Sequence, residues 1–299
     1  MKTRTLLCFL VVLFCAAAAY PQVKVKLVDP AATASALKAI HSPHMVMTPE
    51  SAADLHQLLL MIPGTGGHAV DFRTFDSCFA AMGYHVISLD YPNNVITTVC
   101  SKSEDSTCFD HFRQEIVFGT PVSDKVAVDS VNCIVSRFRH LLVCLAKEDK
   151  QWQEYVQNGQ PRWDKITVAG HSQGAGHAAF LGKHFTVHRV MMFSGPQDYM
   201  QLFHAPARWQ FLSGRTPVNR YYAFLHLKDP FNYEYQAADV SAVTQFAVTD
   251  TAMVHPGIPV HKRKHILVTD IDKNDKHGST LRLEFIPVWR YMIGAPAAH

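Results

Sequence analysis

Apolar positions along the chain fall into short runs separated by polar, glycine- and proline-containing stretches. From Gln22 to Val28, Val23, Val25 and Leu27 alternate with polar residues, the period-two pattern of an edge strand, and His44 to Met47 is its predicted partner. Leu55 to Ile62 is apolar almost throughout, as expected of a strand covered on both faces. Further strands are predicted at His85–Leu89, at the run entering Gly170, and at Arg189–Phe193, Tyr221–Leu227 and His265–Ile271. Between them lie stretches of helical character. Ala69 to Met82 is one; a second runs from Ser123, read as its N-cap, to about Lys147, with Val131, Val135, Phe138, Leu142 and Leu145 at helical spacing. Part of Phe231–Ala247 and a closing segment from Ser279 to Ile293 complete the helical set. Asn93 to Thr120 is polar, irregular and long for a loop, which predicts either a functional segment or a small insertion over the site rim. Gln197 to Arg220 is too short to be a large lid. The alternation of strand and helix predicts an α/β protein with a mostly parallel central sheet and helices on both faces.

Composition bounds this picture. The chain has 299 residues, 48% hydrophobic and 18% charged, which suits one large domain with a sizeable core. A net charge of +3 gives no reason to expect nucleic acid as a partner. Residues 1–19 have the form of a signal peptide: Lys2 and Arg4 precede the apolar Leu6–Phe14, and Ala16 to Ala19 form a small-residue cleavage zone. The expected mature protein is a single domain over residues 20–299, secreted or periplasmic, with no later stretch able to span a membrane. Of the seven cysteines, Cys8 and Cys15 leave with the signal. Cys100 and Cys108 bracket one polar segment and are the natural local disulfide in an oxidising compartment. Cys133 and Cys144 lie in the helical pattern and are read as buried core thiols; with Cys78 the remaining number is odd, so one thiol at least is unpaired within the chain. No C-x-x-C or H-E-x-x-H occurs, so neither a metal nor any other cofactor is expected.

The candidate chemistry centres on Gly170-His171-Ser172-Gln173-Gly174. A strand-like run feeds this G-x-S-x-G and a small-residue helical stretch follows, the sequence form of a nucleophile elbow. The serine must sit on a sharp turn, and the two glycines leave room where a Cβ would clash. Pro63-Gly64-Thr65-Gly66-Gly67 follows the buried Leu55–Ile62 run; it lacks the Lys-Ser/Thr ending of a phosphate loop, leaving an oxyanion-hole loop or a plain turn. Asp229 and His277 follow the strands at Tyr221–Leu227 and His265–Ile271. Carboxyl ends of parallel strands are where such sheets place their sites. Asp90 precedes the serine and is read as structural, and Asp239 and Asp250 are rivals of Asp229. Among the histidines, His171 is expected to point away from the site, His177 to pack one turn along the helix, and His261 and His265 to lie at the wrong end of a strand.

On G-H-S-Q-G, on P-G-T-G-G after a strand, and on the Asp and His after the last two strands, the sequence resembles the α/β-hydrolase superfamily, its serine esterases and lipase-like members in particular, over roughly Leu55 to Ile293. The resemblance implies Ser172 as nucleophile, His277 as base and Asp229 as acid. It implies oxyanion donors from the backbone of Gln173 and of Thr65 or its neighbours Gly64 and Gly66. The implied activity is hydrolysis of a small-molecule or lipid-like carboxylic ester through an acyl-enzyme. A peptidase, amidase or acyltransferase would use the same triad, and a non-catalytic binding protein would use the same scaffold.

Overall fold

The structure, a computed structural model, describes residues 22–50, 53–261 and 264–295. The expected signal peptide, residues 1–19, lies outside the described residues. One nine-stranded sheet carries the fold: β1 (Val23–Val28), β2 (His44–Pro49), β3 (Leu58–Ile62), β4 (His85–Ser88), β5 (Ile166–His171), β6 (Arg189–Phe193), β7 (Tyr221–His226), β8 (Thr251–Met253) and β9 (Ile266–Thr269). Their spatial order is β1-β2-β4-β3-β5-β6-β7-β9-β8. β2 runs antiparallel to both its neighbours and every other pairing is parallel.

The all-apolar β3 explains itself in this setting. Leu58, Leu60 and Ile62 enter the core on one face of the sheet, while Leu59 and Met61 enter the core on the other. Each such burial contributes about 2 kcal/mol relative to exposure. The first core is covered by α2 (Cys108–Phe118), α3 (Ile134–Glu148), α4 (Gln173–His184) and α5 (Tyr233–Thr244). The second is covered by α1 (Arg73–Ala81) and α6 (Ile286–Met292), with Phe75 against Trp289 at 4.8 Å between ring centroids. A mostly parallel sheet in this order, helices on both faces and a strand–turn–helix at its centre together form the α/β-hydrolase fold, with β8 added beyond β9 at the far edge. Gln197–Arg220 contains two-residue strands and 3₁₀ turns and no large lid.

Four local expectations change. Ser123 does not begin a helix: α3 starts at Ile134, with Cys133 as its N-cap. The backbone N–H groups of Val122, Ser123 and Val128 instead donate to the buried Glu115 carboxylate at 2.9, 2.8 and 3.0 Å. Asn93–Thr120 is not irregular throughout, because it holds α2. The buried side of that helix includes Arg113 and Glu115, which breaks the apolar stripe a sequence reading looks for. The Cys100–Cys108 disulfide, with 5.5 Å between Cα atoms, joins the start of α2 to a 3₁₀ turn at Thr97–Cys100. Cys133 is buried as expected, but Cys144 is only half-buried and Cys78 is likewise intermediate. β8 lies between the predicted helical stretch ending at Ala247 and the predicted strand beginning at His265, where the pattern predicts no strand.

Candidate active site

β5 ends at His171 and α4 begins at Gln173, so Ser172 makes the whole turn, at φ 58° and ψ −123°. A non-glycine residue in that region costs about 1–3 kcal/mol and persists only where its surroundings dictate it. Here they do. The Ser172 N–H donates to the Phe193 carbonyl at 2.8 Å, and its carbonyl accepts from the Ala175 N–H at 3.0 Å. A Cβ on Gly170 would lie 2.0 Å from the Gly174 carbonyl oxygen, and one on Gly174 would lie 2.0 Å from that of Ile62. Strand and helix therefore touch backbone to backbone, and only glycine permits it.

The Gly64–Gly67 loop lies against this turn, close enough that a Cβ on Gly64 would sit 3.0 Å from that of Ser172. Asn93 holds the loop in place. Its Nδ2 donates to the carbonyls of Gly64 (2.7 Å) and Gly67 (3.0 Å), and its Oδ1 bonds His41 Nε2 at 2.6 Å. The Gly66 N–H donates to the Asn93 carbonyl at 3.0 Å, so it is already used and drops out of the expected oxyanion donors. Gln173, at the first position of α4, has an N–H with no acceptor inside the helix. Its side-chain Oε1 accepts from Thr65 Oγ1 at 2.7 Å and from the Thr97 N–H at 3.1 Å, tying the loop to the elbow.

Asp229 and His277 meet as their positions suggested. His277 Nδ1 lies 2.8 Å from Asp229 Oδ2. An ionised carboxylate only accepts, so this contact places a proton on Nδ1, and in the neutral form of the ring Nε2 then carries the lone pair. Asp229 Oδ1 takes the Phe231 N–H at 2.9 Å. Burial pushes the Asp229 carboxyl up, but the His277 and Phe231 hydrogen bonds outweigh it and hold the group below its ordinary value. Ser172 and His277 line one cavity of about 530 Å³, whose walls include Phe72, Phe75, Ile96, Phe231 and Leu281. Among the described residues the Ser172 hydroxyl makes no hydrogen bond, so it faces that cavity without a partner.

His171 departs from expectation. It lines the same cavity rather than pointing away, and its ring centroid is 4.8 Å from that of His277. The last strand residue before so tight a turn no longer obeys the alternation of a regular strand. The rivals are elsewhere. Asp90 is structural: it accepts the N–H groups of Ile40 (2.7 Å), His41 (2.9 Å) and Ser42 (3.2 Å) and a buried ion pair from Arg137 at 2.8 Å. Asp239 accepts the Asp198 N–H at 2.7 Å in the core, and Asp250 pairs with Lys264. His177 is buried edge-on to Tyr91, and His265 bonds the Tyr221 carbonyl at the amino end of β7.

Two residues with structural parts in this site carried no sequence signal: Asn93, and Arg113 on α2. The Arg113 guanidinium is fully buried, paired with Asp198, and donates Nη1–H to the Gln173 carbonyl at 2.7 Å, bracing the first turn of α4 from behind. Among the described residues the one grouping of potential metal ligands is Asp54, His56 and the half-buried Glu154, at the amino end of the sheet, with His56 and Glu154 already bonded to each other at 2.8 Å. No described helix is long and apolar enough to cross a membrane.

No family model matches the chain, and no curated protein matches it. Solved structures do resemble it. TT1662 from Thermus thermophilus is 14% identical at a TM-score of 0.46, over 92% of this chain and 100% of that one. A dienelactone hydrolase-like protein from Klebsiella pneumoniae is 10% identical at a TM-score of 0.47, over 91% of this chain and 98% of that one. At such distance these likenesses say nothing about a site. The fold is that of the α/β-hydrolases on its own strand order and strand–turn–helix at Ser172.

Proposed function

We propose that the protein is an exported serine hydrolase that cleaves a carboxylic ester through an acyl-enzyme. The reading rests on one observation above all: a histidine hydrogen-bonded to a buried carboxylate at 2.8 Å shares a cavity with a strained, unpartnered serine. In this mechanism the substrate carbonyl enters between the two, and His277 Nε2 takes the Ser172 proton as Oγ attacks. The imidazolium so formed is favoured by Asp229 and returns the proton to the leaving alcohol. Water then repeats the sequence on the acyl-enzyme. The negative oxygen of each tetrahedral intermediate is stabilised by the N–H groups of Gln173 and Thr65, with that of Gly64 the remaining candidate; each such donor is worth about 3 kcal/mol. The aromatic and aliphatic walls favour an ester with an apolar group. Export is supported by the signal-like residues 1–19 and by the disulfide, which persists best in an oxidising compartment.

The test is hydrolysis of p-nitrophenyl esters of increasing chain length by the wild type and by Ser172→Ala and His277→Ala. Both variants should fold and lose about 10⁴-fold or more in kcat. Wild-type turnover in either would refute the assignment, and activity on peptide or acyl-acceptor panels alone would move the substrate class.

A further inference from the structure

The backbone of His277 is held by two side chains that the proposed chemistry does not use. Its carbonyl oxygen accepts from Ser194 Oγ at 2.7 Å and from His171 Nε2 at 3.1 Å. A carbonyl has two lone pairs, and both are taken here. His171 ends β5 and Ser194 follows β6, so the two donors come from neighbouring strands, while Asp229, which holds the ring, comes from the end of β7. Three adjacent strand ends therefore fix one residue of a turn that is otherwise exposed from Asp272 to Asp275.

Each donor is itself prepared for this contact. Ser194 sits at φ 51°, with its N–H on the Phe224 carbonyl at 3.0 Å. Its hydroxyl gives its proton to His277, so the Thr280 hydroxyl, 2.9 Å away, donates to Ser194 in turn. The Thr280 carbonyl is anchored by the Trp289 indole N–H at 3.0 Å. Burial, together with the neighbouring His277, lowers His171 to about 4, so it is neutral at working pH with one ring proton. That proton must be on Nε2, because a carbonyl only accepts.

We propose that His171 and Ser194 are positioning residues for the base: by jointly clasping the His277 carbonyl they set where its Nε2 stands relative to Ser172. The proposal rests on the serine-hydrolase reading. A base placed by an exposed turn alone would wander by the ångström or so that is enough to cost a large part of the rate. The residue before the nucleophile thereby acquires a task through its bond to the His277 carbonyl.

The test compares wild type with His171→Leu, His171→Gln, Ser194→Ala and the double variant His171→Leu/Ser194→Ala, measuring kcat and KM for one ester, the rate of labelling by a fluorophosphonate probe, and thermal melting. Loss of a single donor should lower kcat about fivefold with KM little changed. The double variant should fall about a hundredfold, more than the product of the singles, because each donor covers for the other. His171→Gln, whose amide places an N–H near the same point, should recover most of the rate, and labelling should slow in step with kcat. If all variants melt as the wild type does and keep its kcat and labelling rate, the clasp is refuted. A rate that falls equally in His171→Leu and His171→Gln also refutes it, since the donor would then be irrelevant. If instead the wild type is neither labelled nor active, the hydrolase reading fails on its own.

Discussion

Ser172 and His277 face one cavity but are held there by different physics. The serine is fixed by contact: Gly170, Gly174 and Gly195 bring three backbone segments so close that a single methyl group would collide with a carbonyl oxygen at each. The histidine is fixed by hydrogen bonds on a turn that is largely open to water: its carbonyl accepts from His171 and Ser194, and its Nδ1–H donates to Asp229. Contact of the first kind is all-or-none, because the atoms either fit or do not. Hydrogen bonding of the second kind is graded, since each bond contributes about 1 kcal/mol and another partly covers its loss. Substitutions on the two sides should therefore fail in different ways, the elbow by unfolding and the base by losing rate.

The largest expected effect is on the base side. Asp229→Asn keeps the shape but favours the wrong tautomer of His277, and kcat should drop about 10³–10⁴-fold with the melting temperature little changed. A loss below tenfold, measured on ester hydrolysis, would mean that another group orients the base. Next comes the elbow. Gly174→Ala places a methyl group 2.0 Å from the Ile62 carbonyl oxygen and should cost about 4 kcal/mol or more, seen as loss of cooperative thermal unfolding or a large drop in melting temperature. A Gly174→Ala protein that melts normally but turns over slowly would erase the distinction between the two sides.

A smaller effect concerns α1, behind the cavity. Burial pushes the Asp76 carboxyl up to about 8 against the hydrogen bond from Ser88, which lies at 2.6 Å. A raised folded value means stability that is complete below the ordinary carboxyl range and lost as pH rises through about 8. His44 has the opposite sign: burial, then Arg137, lowers it to about 3, so its contribution is present above 6.5 and lost as pH falls towards 3. Above pH 6.5 the Asp76 term remains without that counterweight. Melting temperature should fall between pH 6.5 and 8, and Asp76→Asn should narrow the fall; an unchanged difference would show that Asp76 is ionised in the native state.

The same division explains what the sequence made legible. The elbow was readable because its requirements are local: two glycines flanking a serine, an apolar run before and small residues after, within twelve positions. The candidates Asp229 and His277, which the structure brings within 2.8 Å of each other, could be singled out because parallel sheets put their sites at strand ends and each residue follows a strong apolar run. The pins were not readable. Asn93 grips a loop 26–29 residues away, Arg113 reaches Gln173 across 60, Ser194 reaches His277 across 83, and His171 does so across 106. No periodicity records such pairs. Strand alternation turns His171 away from the site only when it is carried one residue too far, into the turn itself. The Glu115 carboxylate acts in a similar manner: together with the N–H groups of Val122 and Ser123 it takes that of Val128, which a helix from Ser123 would have used.

The reactivity of one hydroxyl, that of Ser172, decides whether the proposed chemistry takes place. Incubating the folded protein with a fluorophosphonate probe and mapping the adduct by peptide mass spectrometry tests it directly. One label per chain, on Ser172, abolished in Ser172→Ala and much slowed in His277→Ala, is the predicted result. A folded wild-type protein that takes up no label, or takes it elsewhere, would contradict the account.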